Sequence, residues 1–127
     1  MTVKEQYQRR ARWLLTRHGI RQIPCEPQWA LAHSSENVIR APEPVDAKSF
    51  YIFAHEVAHC ILPGHKYMDW GASEIEADLW AVAELKRVRG WVPVTITRSV
   101  NARAATLTAD AISSGRLPLA KLVDIGK

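Results

Sequence analysis

Residues 50–62 read Phe-Tyr-Ile-Phe-Ala-His-Glu-Val-Ala-His-Cys-Ile-Leu, and Pro63-Gly64 follows. An apolar run of this length, closed by a helix-stopping pair, predicts a helix buried on most sides. Asp46 stands where a side-chain oxygen can accept from the free N–H groups of a first turn, so the helix is expected to run from there to Leu62. His55, Glu56 and His59 are the misfits in it. Burying an imidazole or a carboxylate costs free energy unless a partner satisfies it. Residues four apart share a helix face, so His55 and His59 present two imidazoles to one point. A metal ion at that point is the missing partner, and H-E-x-x-H is a spacing that binds zinc. Glu56 lies about 100° round the helix from His55. From there it can reach a water beside the metal without ligating the metal.

The rest of the chain supplies the frame. Residues 3–18 predict a first helix, with Val3, Tyr7, Ala11, Leu14 and His18 on one stripe and Gly19 as its stop. Pro24, Pro27, Pro42 and Pro44 exclude a long helix over residues 20–45. Two strand-like runs, 28–33 and 37–41, joined by Ser34-Ser35-Glu36, predict a hairpin. His18 and His33 read as helix-end and surface or packing residues. Beyond Gly64 a long helix is expected from about Ala72 to Arg89, ended by Gly90 and Pro93. A last helix is expected from about Thr97 to Ser114, with Val100, Ala104, Leu107 and Ala111 inward.

Composition excludes several classes. The 127 residues are 47% apolar and 24% charged, the balance of an ordinary globular chain able to bury one core. No apolar run approaches the ~20 residues of a membrane span, and the first ten residues lack the apolar core of a secretory signal. The expectation is a single cytoplasmic domain over 1–127, with no membrane partner. Cys25 and Cys60 are too few for a disulfide framework, and Cys60 lies off the His55/His59 face. The net charge is +4. Arg9, Arg10, Arg12, Arg17 and Arg21 cluster around Trp13, and such a face can attract an acidic partner or simply be solvated. No helix-turn-helix, zinc knuckle or phosphate loop accompanies it, so no direct nucleic-acid binding is expected.

A catalytic zinc site takes three protein ligands and keeps one position open. Glu74 and Asp78 are four apart on the predicted third helix, so both can face the metal. Glu74 is the expected third ligand. Asp78 would accept from the non-ligating N–H of one histidine, orienting the ring and raising its basicity. Glu76 is the rival ligand. It points about 200° from Glu74, so both cannot ligate, and Ser73-x-x-Glu76 also matches a capping box.

H-E-x-x-H over 55–59 with Glu74-x-x-Ala77-Asp78 resembles the gluzincin type of zinc peptidase. More narrowly, residues 50–60 with Glu74-x-x-Ala77-x-x-Trp80-Ala81 resemble the ImmA/IrrE family of small bacterial and phage-encoded metallopeptidases. Trp80 stands where that family has Phe, and Glu84-Leu85-Lys86-Arg87 replaces its usual L-L-x-P. The resemblance implies an α+β fold: a mostly helical, minimal zincin-like domain with a small hairpin or short sheet beside the H-E-x-x-H helix. It implies one zinc ion per chain, held by His55, His59 and Glu74, with Glu56 as general base. His65, Tyr67 and Tyr51 are candidate oxyanion or substrate contacts. The strand Asn37, Val38, Ile39, Arg40 is a candidate edge for pairing with a substrate peptide. The implied substrate is a partner protein such as a helix-turn-helix repressor, cleaved in a stress, phage or mobile-element switch. Three other readings compete. They are a non-catalytic module that sequesters a regulatory partner, a basic nucleic-acid-associated protein with a structural metal, and a helical domain with a chance motif.

Overall fold

The computed structural model describes residues 1–62 and 70–113. The fold is α+β and mostly helical, with four helices and one three-stranded sheet among the described residues. Helix α1 spans Val3–His18. Thr2 opens it with a capping box, its hydroxyl accepting from the Glu5 N–H while the Glu5 carboxylate accepts from the Thr2 N–H. Gly19 ends it in the left-handed region at φ 64°, a conformation that costs a side chain. Tyr7, Ala11 and Leu14 face inward as their spacing predicts, whereas Val3 is exposed.

Strand β1 spans Arg21–Pro24, β2 spans Leu31–His33 and β3 spans Val38–Ala41. The sheet order is β1-β3-β2, with β1 parallel and β2 antiparallel to β3. The hairpin expected over 28–33 and 37–41 is therefore present but shorter. Pro27–Trp29 forms a 3-10 turn in place of the first part of its leading strand. Ser34–Glu36 forms another, and Asn37 closes the connection at φ 53°. Asn tolerates that conformation better than most side chains.

One expectation is corrected. Val38, Ile39 and Arg40 lie on the central strand, bonded on both sides, and Asn37 is turn, its carbonyl accepting from Arg21. No edge is left on β3 to receive a peptide. The edge on the β2 side is Leu31–His33.

Helix α2, Ala47–Ile61, is the centre of the fold. Asp46 caps it, accepting from the Ser49 N–H at 2.8 Å while Ser49 Oγ accepts from the Asp46 N–H at 3.1 Å. Helix α3, Trp70–Arg89, packs against it, as do α1, β3 and β2. Phe50, Phe53, Ala54 and Val57 are fully buried, and the Tyr7, Phe50 and Phe53 rings follow one another at 5.1 and 6.0 Å. Each large side chain so buried stabilises the fold by roughly 1.5–3 kcal/mol relative to exposure.

One face of α3 carries Glu74, Asp78, Ala81 and Leu85, all buried. Its apolar half joins the core and its acidic half meets the histidines of α2. Helix α4, Val94–Ser113, closes over α3, packing Ala104 and Leu107 on Ile75 and Leu79. Ser73 and Glu76 lie inside α3, which begins by Trp70, so the pair does not cap its first turn. Among the described residues, no helix is long and apolar enough to cross a membrane.

Candidate metal centre

Two helices bring the histidines and the acids together. α2 carries His55, Glu56 and His59 on its surface toward α3, and α3 returns Glu74 and Asp78 to the same place. His55 Nε2 lies 3.2 Å from His59 Nε2. Glu74 completes the triangle, with Oε2 2.9 Å from His55 Nε2 and Oε1 3.0 Å from His59 Nε2. These three residues form a group that can hold a metal ion, with ligand atoms all within 4.8 Å of one another. Glu76 and Cys60 are not part of it.

The spacing fits a tetrahedral ion. Two ligands each about 2.05 Å from a metal at a tetrahedral angle stand about 3.3 Å apart. The two imidazole nitrogens are already at that separation. The Glu74 oxygens sit a few tenths of an ångström closer, a shift within reach of a carboxylate rotation.

The other nitrogen of His55 settles how the ring is presented. Nδ1 faces Asp78 Oδ1 at 2.8 Å. A carboxylate only accepts, so Nδ1 carries the hydrogen and Nε2 turns its lone pair to the ligand point when the ring is neutral. Tyr51 also donates its hydroxyl to Asp78 Oδ1. Burial, reinforced by the Asp78 charge, pushes the Tyr51 pKa far up, which keeps that hydrogen in place. Tyr51 thus lines the site but spends its hydroxyl on Asp78.

Electrostatics follow from the same contacts. Burial pulls the His55 pKa down, but hydrogen bonds to Asp78 and Glu74 outweigh it and carry it up to about 9 in the metal-free chain. Burial raises the Glu74 pKa, and the hydrogen bonds from His55 and His59 then bring it well below the usual carboxylate range. Glu56 differs. Burial raises its pKa despite the neighbouring histidines, and no hydrogen bond ties it to another described residue. A carboxylate held in this way is a competent proton acceptor. The Cys60 thiol is pushed up to about 11 by burial and then by Glu56, the state of an inert packed thiol.

A cavity of about 470 Å³ opens over the group. Glu56 and Ser73 line it from the helices, and Leu31 and Ala32 line it from the edge strand β2. Of the loop candidates, His65 and Tyr67 lie outside the described residues. Sequence reasoning missed Arg103, which enters the same cavity from α4 and pairs with Glu74. Its one sequence signal is position: it directly precedes Ala104 and lies three residues after Val100, on the border of the inward stripe. No family model, curated protein or solved structure matches the chain.

Proposed function

We propose that this chain is a zinc-dependent endopeptidase of the ImmA/IrrE-like, gluzincin type, acting on a specific partner protein. The observation that carries the reading is the convergence of His55, His59 and Glu74 at tetrahedral spacing, with Asp78 behind His55 and Glu56 facing the same cavity. A structural metal needs no unengaged carboxylate beside it; hydrolysis does.

Zinc bound there supplies Lewis acidity toward a peptide carbonyl and an acidified water as nucleophile. The chain's own residues do the rest. Glu56 takes the proton of the attacking water and delivers it to the leaving amine. Asp78 holds His55 in its ligating orientation, and Tyr51 fixes Asp78. The substrate chain lies along the outer edge of β2, where Leu31 and Ala32 border the cavity, as an added strand. The resemblance supplies the partner class, a helix-turn-helix repressor.

The test has two arms. The purified chain is expected to hold about one zinc ion, measured by elemental analysis. Glu56→Gln is expected to keep that zinc while losing about 10²- to 10⁴-fold of cleavage of a co-expressed repressor partner. Wild-type cleavage by Glu56→Gln would replace the peptidase reading with that of a sequestering module.

A further inference from the structure

Arg103 is the only Arg or Lys lining the cavity among the described residues. We infer that Arg103 is a positioning residue of the metal centre: it anchors the Glu74 carboxylate against the two histidines and braces Asp78 behind His55. The inference rests on the metal-site reading above.

The contacts of its guanidinium support it. Arg103 Nη2 donates to Glu74 Oε2, the oxygen that also lies 2.9 Å from His55 Nε2, while Oε1 lies 3.0 Å from His59 Nε2. A guanidinium on Oε2 anchors the carboxylate at the site while both of its oxygens face the imidazoles. Asp78 shares its two oxygens between the site and the guanidinium. Oδ1 accepts from His55 and Tyr51, and Oδ2 lies 3.7 Å from Arg103 Nε, an ionic contact. One planar fork therefore reaches an oxygen of each acid, which a point-charge ammonium cannot match.

Charge balance points the same way. Glu56 and Glu74 are buried where they line the cavity, and Asp78 is buried behind His55. A divalent ion answers two negative charges, and the Arg103 guanidinium answers the third. Helix α4 does not require this arginine for packing, because Val100, Ala104 and Leu107 already face inward and the Arg103 side chain is 41% exposed. Its reach into the site is better explained by the acids than by the core.

The experiment compares wild type, Arg103→Gln and Arg103→Lys. Zinc affinity is read by competition with a chromophoric chelator, and ligand geometry by the visible absorption of the cobalt-substituted chains. Removing a hydrogen-bonding partner of a metal ligand typically costs 10–100-fold in affinity. Arg103→Gln is expected to lose about that much and to change the cobalt spectrum. Arg103→Lys is expected to recover part of the affinity, with the metal-free melting temperatures of all three close together. Wild-type affinity and spectrum in Arg103→Gln would overturn the inference. So would tighter zinc binding, which would make the guanidinium a competitor for Glu74. If wild type itself takes up neither zinc nor cobalt, the metal-site reading falls first, and the role of Arg103 with it.

Discussion

Helix α3 carries two buried glutamates, each paired with an arginine from another helix, and of the two pairs it is Glu74 and Arg103 that line the cavity. Arg10 of α1 grips Glu84 with both arms of its fork, at 2.8 and 3.2 Å, and its guanidinium lies 4.3 Å over the Trp13 ring. The Glu84 side chain is 4% exposed. Arg87 is a second charged neighbour, at 3.5 Å. Arg103 of α4 grips Glu74, but that carboxylate also meets two imidazoles and borders a cavity. The first pair is closed: among the described residues the ion-pair partners of Glu84 are the permanent cations Arg10 and Arg87. The second is open, because an imidazole can give up a proton for a metal and a guanidinium cannot. A buried ion pair is therefore no mark of function by itself. The partners' chemistry and the space beside them make the difference.

The contrast breaks most sharply on the two glutamates. Glu74→Ala is expected to lose stoichiometric zinc altogether, measured by elemental analysis after dialysis. Full zinc retention there would remove Glu74 from the ligand set. Asp78→Asn should fall between the extremes. It keeps an acceptor near His55 but loses the charge, so zinc affinity is expected to drop about 10–100-fold.

A smaller effect is a pH dependence. The His55 pKa of about 9 in the folded, metal-free chain lies above its unfolded value of 6.5. The charged ring therefore stabilises the metal-free fold fully below about pH 6.5, and that contribution is lost as pH rises through about 9. A metal needs the neutral ring and competes with the same proton. Its affinity is expected to rise about tenfold per pH unit up to about pH 9, read by chelator competition. A flat profile between pH 7 and 9 would mean that His55 is neutral before the metal arrives. Smallest of all should be the effect of Glu84→Gln on zinc, which is expected to be none. That variant should instead lower the unfolding free energy by about 3 kcal/mol in denaturant titration, because it leaves the Arg10 guanidinium without its charged partner.

The parts of the site that could be read along the chain are those set by local geometry. His55 and His59 share a face because a helix repeats every 3.6 residues, and Glu74 and Asp78 do so for the same reason. Asp46, Gly19 and Gly90 end their helices through their own backbone or side-chain chemistry. The expected edge strand failed on a different kind of fact. β1 reads Arg-Gln-Ile-Pro and is mostly exposed, so no alternation announces it. It exists because residues 21–24 pair in parallel with residues 38–41, and that pairing is what turns β3 from an edge into a centre.

The sequence alone determined that α2 must be a buried helix with a partner for its two imidazoles, and that an acid four residues from another acid was the place to look. Periodicity and the cost of buried polar groups suffice for that. Only the tertiary structure decided that Glu74 rather than Glu76 closes the triangle, that β2 borders the cavity, and that Arg103 arrives from a separate helix to hold the acids. Those facts depend on the angle at which α3 and α4 pack, which is set by many side chains together and written in no single stretch of the chain.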